Sequence, residues 1–261
     1  MTLCACVSLW FFRKGDTEGV KFGLALGTVL LCCLSARGET MTSGVLMGGT
    51  RYQTPYFVKQ GDKSGPTVVV VGGVHGDEVA GYQAAEALKA WHVEGGTLVL
   101  VPQAHVEAIR RKVRAYPRNM NRLFPGKANG DAMDKLAFEI WNLIKKSKPQ
   151  LLLTLHESRG FYAQDHARYG QTFTFDFEEL RPQFARVADT VNASIAVPLN
   201  QFHIKVEAFD TCPTYCAWKW LHVPATSIET TRTLPLDLRV EMQLKACGAF
   251  FDSYGLRARR P

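Results

Sequence analysis

The stretch Val68–Glu78 reads VVVVGGVHGDE, an apolar run that ends in His75, Gly76, Asp77 and Glu78. An imidazole and a carboxylate three residues apart, delivered where a strand leaves a sheet, can converge on one cation. A second imidazole, His156, ends the apolar run LLLTLH, and a further carboxylate, Glu229, lies in ATSIET, Ala225–Thr230. Two histidines and a glutamate with an open fourth position make a catalytic zinc ligand set, so His75, Glu78 and His156 are the expected ligands of one Zn2+ per chain. Gly72, Gly73 and Gly76 permit the tight turn and close backbone approach that such a loop needs. His92, His105, His166, His203 and His222 lack comparable neighbours and read as structural. The run His156-Glu157-Ser158-Arg159 begins like His-Glu-x-x-His but has Gly160 at its fifth position, which excludes a zinc site on a single helix. No Gly-x-Ser-x-Gly elbow, dinucleotide glycine fingerprint or phosphate loop is present.

These groups need elements to hold them. Val68–Val74 and Thr97–Pro102 are short, β-branched and apolar, and Glu78–Trp91 between them has helical spacing, which predicts a βαβ unit. Ala132–Lys146 predicts an amphipathic helix, stopped by Pro149 before a strand over Leu151–His156. A helix near Glu178–Val191, a strand over Ala225–Thr230 and a last helix over Asp237–Ser253 complete the pattern. With no repeats and no Pro/Ser-rich linker, the residues predict one α/β domain whose ligands collect at the carboxyl ends of the strands.

The first residues differ in kind. Lys21 precedes a largely apolar run, Phe22–Leu34, and Ala36 is a small residue suited to a cleavage site, so 1–36 reads as a leader containing a signal-peptide-like segment. Residues 1–19 read as a gene-model extension ahead of a start near Val20. The expected organisation is therefore a leader over 1–36 and a single metallohydrolase domain over 37–261, exported to a periplasmic or extracellular place, with no stable membrane domain once the leader is removed. The apolar run is short for a membrane span.

The whole chain carries a net charge of +7; residues 1–36 hold three basic and two acidic residues, which leaves +6 without them. That balance suits an anionic substrate, and the absence of a dense Lys/Arg run or of interleaved aromatics argues against nucleic acid. Three cysteines follow the leader, and Cys212–Cys216 in CPTYC offers a small disulfide in an exported protein, leaving Cys247 as a buried thiol.

Four pieces in order, GGVHGDE, RAYPRNMNRLFPG, LLLTLHES and SIETT, resemble the succinylglutamate desuccinylase/aspartoacylase family of the zinc carboxypeptidase clan. The resemblance implies a three-layer sandwich, a mainly parallel mixed sheet with helices on both faces. It makes His75, Glu78 and His156 the zinc ligands, Glu229 the general base, Arg114 the group that polarises the scissile carbonyl, and Asn121 and Arg122 the holders of the substrate carboxylate. A guanidinium pairs with a carboxylate in bidentate fashion, which agrees with the last assignment. Two departures stand out: the acid common in the family two residues before the second histidine is Thr154 here, and DLNR is replaced by NMNR, with Asn119 for the acid. Acidic neighbours of that kind orient ligand imidazoles, and Glu157 and Asp77 are candidate substitutes.

The implied reaction is hydrolysis of an amide next to a free carboxylate. A deacylase, an exported metallocarboxypeptidase acting on cell-wall or other peptides, and an inactive carboxylate-binding module are the readings in play, the expected partner being a small carboxylate-bearing amide or peptide. Glu157–Thr172 reads as a cleft-lining loop in which Arg159, Tyr162 or His166 touches substrate, and FDTCPTYCAW as a second rim element.

Overall fold

The computed structural model describes residues 38–261; the expected leader and its cysteines lie outside the described residues. In chain order the elements are β1 (Thr40–Leu46), β2 (Thr54–Gln60), β3 (Lys63–Gly72), α1 (Val79–Ala87), β4 (His92–Val101), α2 (Val106–Arg111), α3 (Ala132–Ser147) and β5 (Leu151–Ser158). There follow β6 (Thr172–Phe175), α4 (Arg181–Asn192), β7 (His203–Val206), α5 (Pro213–Leu221), β8 (Ala225–Thr231), α6 (Leu236–Tyr254) and β9 (Arg257–Arg259).

The strands form one sheet in the order β1-β2-β4-β3-β5-β8-β6-β7, with β9 paired to β4. Its centre, β4-β3-β5-β8, is parallel throughout. Antiparallel pairs flank it: β1 with β2, β2 with β4, and β6 with β8. The parallel centre is what the near-continuous Val and Leu runs encode, because both of its faces are covered.

Period-2 alternation sends neighbouring side chains to opposite faces. Val68, Val70, Leu98, Leu100, Leu151 and Leu153 pack with Ala84, Phe184 and Phe250 from α1, α4 and α6. Val69, Val71, Val99, Val101 and Leu152 pack with Leu136, Ile140, Trp141 and Cys216 from α3 and α5. Helix α3 begins at Asp131, whose carboxylate accepts from Met133 and Asp134 N–H, and ends at Lys148 in the left-handed region before Pro149. Its apolar stripe is fully buried, and truncating one such residue, Ile140→Ala, costs about 2–5 kcal/mol.

A buried lysine fastens the start of the described chain. Lys59 is 4% exposed and its ammonium donates to the Lys89 carbonyl at 2.7 Å and to the Trp91 carbonyl. Glu39 completes the set at 3.0 Å, and its carboxylate also accepts from Val93 N–H at 3.0 Å.

Candidate metal centre and cleft

The turn after β3 delivers His75. Gly73 has φ +68°, and at Gly76 an added Cβ would fall 2.0 Å from the Ala108 carbonyl carbon, so no larger residue fits where the turn passes α2. Glu78 stands just before α1 as its N-cap, one residue ahead of the expected helical turn. His156 is inside β5, and its register partner on β8 is Glu229. Parallel partners point the same way, so the second imidazole and the expected base share one face.

His75, Glu78 and His156 are all buried, and one donor atom from each lies within 4.8 Å of the others. The Glu78 carboxylate joins them: Oε1 faces His75 Nδ1 at 2.8 Å and Oε2 faces His156 Nδ1 at 2.7 Å. Arg114 Nη1 donates to Oε1 at 2.7 Å, and the Glu157 N–H donates to Oε2 at 3.2 Å. Burial alone would raise the Glu78 pKa; the charge and hydrogen bonds of the two histidines hold it well below the usual carboxylate range. A preformed carboxylate between two inward-facing imidazoles is a donor set that fits a borderline-soft divalent cation such as zinc.

The outer nitrogens of the imidazoles differ. His75 Nε2 meets Asn119 Oδ1 at 3.1 Å, and that oxygen also accepts from Asn121 N–H at 3.0 Å. Asn119, at the position of the expected acid, thus places its amide oxygen on the imidazole. His156 Nε2 is buried without a hydrogen-bond partner among the described residues. Thr154, two residues before it, bonds instead to its register partner Ser227 at 2.8 Å. The candidate substitutes are engaged elsewhere: Asp77 pairs with Arg232 at 2.9 Å, while Glu157 accepts from Ala80 N–H at 2.9 Å and pairs with Arg239.

The centre opens into a cleft of about 450 Å³. Arg114, Asn121, Arg122 and Glu229, all expected on sequence grounds, line it together. Asn121 Oδ1 is buried without a partner among the described residues, and the Arg122 guanidinium lies over the Phe209 ring, 4.2 Å from its centre. Burial raises the Glu229 carboxyl to about 8, with the neighbouring Glu78 adding to the rise and His156 and Arg114 opposing it.

Of the three loop residues expected to touch substrate, only Arg159 lines the cleft. Tyr162 and His166 are not part of it; their rings stack on each other at 4.6 Å, and Lys205 binds the His166 carbonyl at 2.8 Å. Tyr169, from the expected cleft-lining loop, and Phe209, from the expected second rim element, also line the cleft, as does Arg232, which was not predicted. Arg232 directly follows SIETT and could have been read from that position; the individual contacts of Tyr169 and Phe209 within their segments could not.

The cysteines do not form the expected bridge: Cys212, Cys216 and Cys247 are free, buried thiols. Cys212 Sγ is taken up at the N-cap of α5, accepting from Tyr215 N–H at 3.4 Å and lying 3.5 Å from Asp176 Oδ1. Burial pushes the Cys212 and Cys216 thiols up to about 12.

Residues 64–196 match the model of the succinylglutamate desuccinylase/aspartoacylase catalytic domain. The N-alpha-acetyl-L-2,4-diaminobutyric acid deacetylase of Halomonas elongata is 30% identical over 162 residues, which are 59% of this chain and 45% of that protein. The chain therefore matches less than half the length of this curated relative. Among solved structures, the mDAP-bound form of Helicobacter pylori Csd4, a D,L-carboxypeptidase, superposes with TM-score 0.71 at 23% identity, over 76% of this chain and 52% of that one. A succinylglutamate desuccinylase/aspartoacylase from Rhodobacter sphaeroides gives 0.63 at 19%, over 85% and 67%. These two likenesses establish a shared fold.

Proposed function

Since the chain belongs to the succinylglutamate desuccinylase/aspartoacylase family, we infer that it is a zinc-dependent hydrolase of an amide bond next to a free carboxylate, acting as a deacylase. The observation that carries the reading is the buried triad His75-Glu78-His156 with Glu229 in register beside His156 at the foot of an arginine-lined cleft. His75 and His156 through Nδ1, with the Glu78 carboxylate, would hold one Zn2+. Zinc so bound supplies Lewis-acid polarisation of a carbonyl and eases deprotonation of water near neutral pH.

The chain's own residues do the rest. Glu229 takes a proton from the attacking water and passes it to the leaving amine. Positive charge at the ligand set draws the Glu229 carboxyl back from its raised pKa toward the ionised form that a base requires. Arg114, anchored on Glu78 but more than half exposed, is placed to steady the developing oxyanion. Asn121 and Arg122 hold the substrate carboxylate, the stacked guanidinium donating from Nη1 to the Asn121 carbonyl at 2.8 Å and offering its remaining N–H groups to the substrate.

A second reading, an exported metallocarboxypeptidase acting on peptides, is favoured by the signal-peptide-like segment ahead of Ala36. The test is zinc content together with hydrolysis of a panel of N-acyl amino acids and cell-wall peptides, with and without chelator. One zinc per chain and chelator-sensitive release of an amino acid are expected, and the preferred half of the panel separates the two readings. Glu229→Gln should keep the zinc and lose roughly 10²- to 10⁴-fold in turnover. A fully active Glu229→Gln chain would exclude the mechanism, and a chain with neither zinc nor turnover would point to a carboxylate-binding module.

A further inference from the structure

We propose that Asp176 is the positioning residue that seats the carboxylate-binding rim of the cleft, doing for the 207–214 segment what a Cys212–Cys216 disulfide would have done. The inference rests on the assignment of Asn121 and Arg122 as the carboxylate holders.

Asp176 follows β6 directly, is 8% exposed and does not line the cleft. Its Oδ1 accepts the N–H of Phe209 at 2.9 Å, and its two oxygens lie 3.5 and 3.8 Å from Cys212 Sγ. Cys212 N–H in turn donates to the Phe209 carbonyl at 2.9 Å, which closes the segment into a turn around the carboxylate. A buried carboxylate holding a backbone N–H is a strong, directional tie, and one that is costly to leave unmade.

The turn touches the site in two places. The Phe209 ring carries the Arg122 guanidinium at 4.2 Å, and the Thr211 carbonyl accepts Phe124 N–H at 3.0 Å. The Asn121-Arg122 pair is therefore held from behind through Thr211 and from the side through Phe209. These contacts meet the 119–124 turn at Arg122 and Phe124, on the side away from Asn119 and its bond to His75, so the first consequence falls on substrate binding.

The experiment compares Asp176→Ala and Asp176→Asn in the full chain. Each is measured for KM and kcat on the panel member that the parent chain hydrolyses best, for zinc content, and for amide hydrogen exchange over 119–124 and 207–212. The alanine chain should raise KM about tenfold with kcat within about twofold and zinc unchanged. It should also exchange faster in both segments. The asparagine chain keeps an acceptor oxygen for Phe209 N–H and should recover most of the loss. Phe209→Leu, a milder change at the rim, should reproduce the KM rise without quickening exchange over 207–212. Unchanged exchange over 119–124 in the alanine chain overturns the proposal, as does an asparagine chain no better than alanine. Lack of turnover by the parent chain would instead fell the hydrolase reading, and the exchange measurements would still decide the role of Asp176.

Discussion

His75 and His156 face the same carboxylate from two kinds of support. His75 rides on the irregular turn between β3 and α1, and its far nitrogen is tied to Asn119. His156 sits within a central strand, one residue past its last pair with β3 and in register with Glu229 of β8, with Gln243 of α6 donating to its carbonyl at 2.8 Å. Its far nitrogen has no partner among the described residues. A loop leaves an imidazole free to swing, so a side chain must fix the ring; a strand packed on both faces fixes the Cα–Cβ direction through its backbone. That explains how the acid expected at position 154 can be a threonine bonded elsewhere.

The largest effect should come from the group the two supports share. Glu78→Ala removes the carboxylate between the imidazoles, and zinc affinity measured by competition with a chelator should fall by more than about 100-fold. Next, Asn119→Ala frees the loop-borne ring and should cost about 10- to 100-fold in zinc affinity. If affinity survived that change, the contrast between loop and strand would fail.

The strand seat has its own cost, visible in the metal-free protein. Glu229 is held protonated up to about 8, above its ordinary 4.5, so its contribution to stability is complete below pH 4.5 and is lost as the pH rises to about 8. Glu229→Gln has no such loss. Thermal melts of the metal-free chains should show the variant gaining on the parent between pH 5 and pH 8, with no further divergence above. The smallest effect belongs to Thr154→Val: its hydroxyl serves Ser227, so zinc affinity should stay within about twofold while stability drops by about 1 kcal/mol.

The His75-Glu78-His156 cluster was readable because each member follows an apolar run whose local pattern fixes the element, although β5 continues two residues past His156 to Ser158. The same holds for Glu229 and for the predicted helices, whose bounds fell within a few residues of α3, α4 and α6. Asn121 and Arg122 were readable only through the family motif. Tyr169 and Phe209 were readable only as members of a cleft-lining loop and a rim element, and Asp176 was not readable, since its contacts arise from β6 and α5 meeting the 119–124 turn across long stretches of chain. Tyr162 and His166 misled because a polar, aromatic loop beside a ligand strand looks the same whether its rings face the cleft or each other. The CPTYC spacing misled similarly: Cys212 caps the helix that carries Cys216 and is occupied by Asp176 and Tyr215 N–H.

The clasp at Lys59 sets a limit on proteolytic trimming. Any cut ahead of Glu39, the predicted one after Ala36 included, leaves the ammonium with its anionic partner. A chain shortened past Glu39 would bury a lysine charge against two carbonyls alone, at a cost on the order of 3–5 kcal/mol. A processing enzyme that overshot by three residues would yield a protein whose lost stability comes from the far edge of the sheet, with His75, Glu78 and His156 still in place.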